Sequence, residues 1–471
     1  MAGSKFVVVD MGKTLSKVSL WSSDGTMLDR QVRPNERPEA KGVPRLDANG
    51  IANWLIGALS KYAGEDVSDI FPVGHGAGVA AIVDGQLAFP PLDYEFKIPA
   101  DILSAYRGER DAFALTGSPA LSEGLNLGAQ LHLLETLHPQ EMQQATLLPW
   151  AQYWGWFLSG AAASEITSLG CHTDLWSPEP RDYSPLAKRR GWAARFAPMQ
   201  SADAVLGTIS PAIASATGLP PSTRVRVGIH DSNAALVAAQ AFPAIGRNEA
   251  TVLSTGTWFV GMRLTAEKLS LSSLPEERDC LANVDFKGRT VPSARFMGGR
   301  EIETIIGIDT RRVDIKPDQP ALLAAVAGVL KAESMLLPSL APGFGPYPAA
   351  IGHWQNEPED WFERRAAACL YAALVADKSL ELIGSKDILL IEGRFAEAEV
   401  FVRALASLRP ATRIFTANAH NDVSFGALRL VLPNLKPQGE LIAVSPLPED
   451  ISSYRDKWRL LAEQPFAGAV A

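Results

Sequence analysis

Cysteine is scarce: Cys171, Cys280 and Cys369 are the only three in 471 residues. None stands in the C-x-x-C spacing that builds a zinc site or a redox pair. A disulfide scaffold is excluded, and reduced thiols in a cytoplasmic protein are expected. An excess of basic charge is also missing. Lys and Arg number 44 against 52 Asp and Glu, a formal net charge of −8, and no basic stripe is present to displace counterions from nucleic acid. The stretch from Met1 to Val7-Val8-Val9-Asp10 is too short and too polar for a signal peptide. Long uncharged runs are rare as well. Met142 to Ser164 carries no charge, yet Gln143, Gln144, Pro149, Gln152, Gly155 and Gly160 interrupt it, so it reads as a helix buried in protein rather than a membrane span. Neither nucleic acid nor membrane is an expected partner.

What is present is an ordinary globular composition, 47% hydrophobic and 20% charged, in a chain long enough for two domains. Phe6 to Asp10 is a β-branched strand, Lys17 to Trp21 alternates, and Ser23-Asp24-Gly25 turns the chain into Met27 to Val32. This predicts a three-strand meander. A helix follows over Ala48 to Tyr62, then a strand over Ile70 to Gly76 ending in Gly74-His75-Gly76-Ala77-Gly78. Half the chain later the pattern returns: Glu249 to Ser254 is a strand, Thr255-Gly256-Thr257 a tight turn, and Trp258 to Leu264 the returning strand. The chain reads as a duplicated α/β unit. Further α/β alternations place glycines at the carboxyl ends of strands, where such sheets bind ligands.

Gly12-Lys13-Thr14 is not a P-loop, because Val7 stands where the first glycine belongs and a strand, not a helix, follows Thr14. The remaining Asp10-x-Gly12-x-Thr14 is a strand-turn-strand in which glycine lets backbone N–H groups approach a phosphate and Thr14 adds a hydroxyl. Asp10 so close to phosphate would repel it without Mg²⁺ between them, which makes Asp10 a candidate partner of a metal–nucleotide complex. The plainer alternative is that Asp10 and Gly12 merely shape a β-turn. Ser254-Thr255-Gly256-Thr257 supplies a second grip of the same kind, and Gly298-Gly299 and Gly393-Arg394-Phe395 offer small-residue surfaces on which an adenosine could lie. Asp231 directly follows the strand Val225 to His230 and opens a small-residue helix. Its plainer reading is a helix N-cap, worth about 1 kcal/mol.

The order Asp10-x-Gly12-x-Thr14, Gly228-x-His230-Asp231, Ser254-Thr255-Gly256-Thr257, Gly393-Arg394-Phe395 resembles the FGGY carbohydrate kinases of the actin-like ATPase superfamily, over nearly the whole chain. Asp-x-Gly-Lys-Thr and Gly170-Cys171-His172-Thr173-Asp174-Leu175-Trp176 are similar to the branch near L-rhamnulose and L-fuculose kinases. Pro91-Leu92-Asp93-Tyr94-Glu95 stands where the family carries W-x-D-x-R. The resemblance implies an α/β fold of two actin-like, ribonuclease H-like domains with mixed sheets and an interdomain cleft. They would divide at 1–240 (sugar and base) and 241–471 (nucleotide), with the last helices returning to the first domain. It implies ATP and Mg²⁺, with Asp231 as base and Asp10 holding the metal. Gly12, Thr14, Thr255, Gly256 and Thr257 would contact phosphates, and Gly298, Gly299, Gly393, Arg394 and Phe395 the adenosine. His75, Asn126 and His230 would meet a small sugar, a ketose or polyol. The readings also leave room for a homodimer. Two rivals keep the fold without that activity: a catalytically silent sugar or nucleotide sensor, and an ATPase with no sugar site.

Overall fold

The computed structural model describes residues 4–40, 42–309, 315–419 and 421–464. Their contacts divide the chain into two units. The first comprises Met1–Ala241, Ala282–Thr290 and Asn421–Pro437, and the second Phe242–Leu281, Val291–His420 and Gln438–Ala471. A single cut at 240/241 therefore leaves out two returns of the chain to the first unit, at 282–290 and 421–437. The helix Val423–Val431 lies in the second return, whereas the last helix, Ser452–Ala462, belongs to the second unit.

The first unit is built on a mixed sheet. Its strands are β1 (Lys5–Met11), β2 (Leu15–Trp21), β3 (Met27–Pro34), β4 (Val67–Gly74), β5 (Val205–Thr208), β6 (Arg224–Arg226) and β7 (Ile229–His230). The order is β5-β6-β4-β1-β2-β3, with β7 also paired to β4. The β1–β2–β3 meander is antiparallel, whereas β4 runs parallel to β1, β6 and β7. Alternation along β1 splits the core. Val7, Val9 and Met11 face the helices Ala48–Ser60 and Trp150–Ser159, while Phe6 and Val8 face Asp231–Ala239 and Val423–Val431. The last two helices touch closely, since a Cβ on Gly426 would lie 1.8 Å from the Ala234 carbonyl oxygen.

The second unit repeats the plan with β8 (Ala250–Thr255), β9 (Phe259–Leu264), β10 (Thr290–Phe296), β11 (Ile388–Gly393), β12 (Arg413–Ala417) and β13 (Leu441–Ala443). The order β10-β9-β8-β11-β12-β13 matches β3-β2-β1-β4-β6-β5, and the strand Cys280–Val284 extends the sheet beyond β10. The directions match too: β8 is antiparallel to β9 and parallel to β11, β11 is parallel to β12, and β12 antiparallel to β13. The duplication read from two glycine turns thus extends to whole sheets.

One expectation fails. Met142 to Ser164 is not a single helix: Pro139–Gln144 is a short helix, Thr146–Pro149 a strand, and Trp150–Ser159 a second helix that Gly160 ends in the left-handed conformation. Pro149 breaks the helical run because it lacks an N–H and constrains the residue before it. Among the described residues no helix is long and apolar enough to cross a membrane.

Gly228, just ahead of β7, has φ +92°, and a Cβ there would lie 2.5 Å from the Pro72 carbonyl oxygen. Left-handed strain and overlap with backbone act together at this position. Gly228→Ala is therefore expected to destabilise the protein by about 1–3 kcal/mol or more. A urea melt indistinguishable from wild type would show that β7 is not held against β4 in this way.

Candidate functional site

In the first unit the hydrogen-bonded register gathers the site. Met11 of β1 and His230 of β7 both align with Gly74 of β4, so Asp10, His75, His230 and Asp231 stand at the carboxyl ends of three adjacent parallel strands, where open α/β sheets bind ligands. Asp231 opens the helix Asp231–Ala239, but the cap position is His230. The Asp231 carboxylate accepts from the N–H and hydroxyl of Ser232 and does not cap the first turn, so the plain N-cap reading fails. Its side chain is about one-third exposed, and His230 Nε2 lies 3.2 Å from its Oδ1.

Asp10 is buried and pairs with Lys17, its cross-strand partner, at 3.1 Å. Burial pushes the Asp10 carboxyl up to about 6; Lys17 opposes this, and the negative charges of Asp231 and Asp422 add to it. Mg²⁺ is commonly held by one or two carboxylates together with waters and substrate phosphates. A buried carboxylate beside the β1–β2 turn fits that mode, and among the described residues no cluster of three or more His, Cys, Asp or Glu forms a metal cage.

Burial lowers the pKa of both His75 and His230, so both rings are neutral at pH 7. His75 Nδ1 faces the Gly76 carbonyl at 2.6 Å and so carries the proton, leaving Nε2 as an acceptor. His75 Nε2 and His230 Nδ1 are buried without a hydrogen-bond partner among the described residues. Around them the glycine-rich turn is tight: a Cβ on Gly76 would meet His230 Nε2 at 3.0 Å and Cys171 Sγ at 3.2 Å.

Asn126 is occupied elsewhere. Its amide donates to Ser118 Oγ, Pro119 O and His172 O, and its carbonyl accepts from Leu121 N, so a sugar would have to displace one of these bonds. Gly12 is demanded locally, because a Cβ there would sit 2.8 Å from the Leu15 carbonyl oxygen. Thr14 is exposed at the tip of the same hairpin. Two features escaped the sequence reading. Asn35 clamps that hairpin by donating to Gly12 O at 2.8 Å and Lys13 O at 3.2 Å. Lys13, barely exposed, pairs with Asp93 at 2.8 Å and Glu95 at 2.5 Å and lies over the Tyr94 ring. The Lys13 contacts join segments some eighty residues apart, and no local pattern announces them.

In the second unit the nucleotide candidates converge on the β8–β9 turn. A Cβ on Gly299 would lie 2.0 Å from the Gly256 carbonyl oxygen, and one on Gly393 (φ +84°) 2.2 Å from that of Thr255. Both are therefore glycine because backbone meets backbone there. Gly298 and Gly299 form the first turn of the helix Gly298–Ile306, and Gly298 packs on Phe259 and Phe296. Phe395 is buried beside Phe259, and the Arg394 guanidinium lies over its ring. The Thr255 hydroxyl donates to Glu392 O at 2.6 Å and accepts from Phe395 N, which fastens β11 to the turn and leaves it no proton for a phosphate. Gly256 and Thr257 are exposed, and a Cβ on Gly256 would meet nothing nearer than 3.9 Å.

The Asp10 carboxyl sets a pH dependence with a definite sign. Its pKa rises from 3.8 in the unfolded chain to about 6 in the folded one, so the folded state holds the proton more tightly and Asp10 lowers stability as pH climbs through that interval. In metal-free buffer, Asp10→Asn is expected to lessen the fall in stability between about pH 4 and 6 and to melt higher than wild type above it. Identical pH slopes for the two proteins would refute a raised Asp10.

Comparison with known proteins follows the same outline. Residues 247–439 match the model of the carbohydrate kinase FGGY C-terminal domain. No curated protein sequence matches the chain significantly. Among solved structures, a carbohydrate kinase from Novosphingobium aromaticivorans is 64% identical over 97% of this chain and 100% of its own, with a TM-score of 0.94. A ligand-bound xylulose kinase from Lactobacillus acidophilus (13% identity, 98% and 97% coverage, TM-score 0.81) shares the fold. So does a gluconate kinase from the same organism (13%, 98% and 97%, 0.80). With two matching sheets of this kind and a relative identical at nearly two positions in three, the chain belongs to the FGGY family of carbohydrate kinases.

Proposed function

We propose that this kinase transfers the γ-phosphoryl group of ATP to a hydroxyl of a small ketose, related sugar or polyol, with Asp231 as general base. The observation that carries the reading is the setting of Asp231. Its carboxylate is partly open to solvent at the end of β7, and its charge acts on Asp10, His75, Tyr94 and Cys171. Phosphoryl transfer asks little covalent chemistry of the protein. It requires an oriented hydroxyl, a carboxylate to take its proton, and groups that hold the phosphates. Asp231 takes the proton as the sugar oxygen attacks. His75 Nε2 and His230 Nδ1, neutral acceptors without partners, suit hydroxyl donors. The exposed backbone of Gly256, with Thr257 and Thr14, holds phosphate oxygens, and the Gly299 and Gly393 surfaces receive the adenosine. Asp10 would hold Mg²⁺, which supplies charge neutralisation on the phosphates.

A silent sensor has no use for a base, and an ATPase without a sugar site has none for two neutral imidazoles beside one. The substrate proposed belongs with the L-rhamnulose and L-fuculose branch, on the wording of Asp10 to Thr14 and Gly170 to Trp176. Three buried free cysteines support a reducing, cytoplasmic setting.

ADP release measured with D-xylulose, L-rhamnulose, L-fuculose, glycerol and D-gluconate should depend on the acceptor. Acceptor-independent release at full rate would favour the ATPase, and no release with any of them the sensor. Asp231→Asn should bind ATP as wild type does and turn over about a hundredfold more slowly or worse, so near-normal turnover removes Asp231 as base. Gly256→Ala has room for its methyl group, so it should melt like wild type yet bind a non-hydrolysable ATP analogue about tenfold more weakly, because the methyl stands where phosphate meets backbone. Unchanged affinity by calorimetry would take Gly256 out of the phosphate site.

A further inference from the structure

The strand that delivers Asp231 is only two residues long, Ile229–His230. One edge is paired to β4. On the other, the His230 N–H donates to the hydroxyl oxygen of Thr167 at 3.1 Å. That hydroxyl has one proton, and it is donated to Glu165 Oε2 at 2.6 Å, which leaves its lone pairs for His230. Glu165 Oε2 also accepts from Thr167 N at 2.9 Å and Ser168 N at 3.2 Å, so the carboxyl fixes the backbone and hydroxyl of Thr167 together. Glu165 and Thr167 are fully buried. Burial pushes the Glu165 carboxyl up to about 7, but Oε2 is an acceptor in either ionisation state.

The same segment reaches the other side of the site. Cys171 donates weakly to Ser168 O and sets its sulfur against Gly76, while the His172 carbonyl holds Asn126. Nothing in the reaction uses Glu165 or Thr167 directly, since neither is exposed to a ligand. Their bonds end on the peptide immediately before Asp231.

From this geometry, and resting on Asp231 as the base, we infer that Glu165 and Thr167 are positioning residues. Through the His230 peptide they fix the start of the helix Asp231–Ala239, and with it the Asp231 carboxylate. Losing the hydroxyl leaves a buried N–H without a partner, which costs enough that the backbone shifts to repair it. Asp231, one residue on, shifts with it, and displacements of about 1 Å at a reacting group can cost about a hundredfold in rate.

The test compares Thr167→Val with Thr167→Ser, using whichever of D-xylulose, L-rhamnulose, L-fuculose or glycerol gives the fastest ADP release. Thr167→Val should lower kcat about tenfold or more with the KM for ATP unchanged, and Thr167→Ser should stay within about twofold of wild type. Amide exchange followed by mass spectrometry over residues 229–232 should quicken in the valine variant and not in the serine variant, with no sugar present. In an Asp231→Asn background Thr167→Val should cost little more, because the two act through one group. If the valine variant does not fold, Thr167→Ala replaces it with the same expectations. A wild-type kcat and exchange rate for Thr167→Val overturns the inference, as does a full additive loss on top of Asp231→Asn. If Asp231→Asn is itself nearly as active as wild type, the base assignment falls and the positioning role falls with it. If Asp231→Asn is crippled while Thr167→Val is normal, only the positioning role falls.

Discussion

The parallel pairing of β4 with β1 on one side and β7 on the other is the constraint on which the first unit depends. Backbone hydrogen bonds put Met11, Gly74 and His230 in one row, and a shift of one residue in either ladder would turn Asp10 or His230 to the opposite face. The glycines around the row enforce this closeness. Gly74 lies against the backbone of Ala151, Gly76 against His230 and Cys171, and Gly228 against Pro72. The same row packs three acidic or imidazole groups so closely that burial and mutual charge, rather than solvent, govern their protonation.

The second unit applies the same sheet to a different end. Where the first presents side chains, its β8–β9 turn presents backbone, kept open by Gly256 and closely backed by Gly299 and Gly393. One plan, used twice, thus carries titratable groups in one copy and bare peptide in the other.

Much of this was legible in the sequence because it is local. The meanders, the two glycine turns and Asp231 after a short strand are each set within a dozen residues, where periodicity and turn chemistry suffice. What was not legible is long-range. The Thr255 hydroxyl is held between Glu392 and Phe395, and the Asn126 amide donates to three oxygens, neither of which any local pattern announces. The pairing of Lys13 with Asp93 and Glu95 and the support of His230 by Thr167 depend on loops whose paths no spacing encodes. Met142 to Ser164 was misjudged because absence of charge is shared by a buried helix and a buried strand, and only Pro149 separates them.

The return of residues 421–437 to the first unit bears on how the chain is made. The sheet face carrying Phe6, Val8 and Ile229 is covered in part by Phe425, Ala427 and Leu428, and Arg429 donates to the carbonyl of Val237 in the helix Asp231–Ala239. During synthesis from the amino end these partners emerge only after the rest of the first unit and the strands β8 to β12 of the second. Until then the first unit is a sheet with one apolar face incompletely covered, the kind of surface that chaperones bind and that aggregates when left open. Closure of the first unit waits for residues 421–437, so a ribosome stalled after β12 would carry a first unit that is not yet closed.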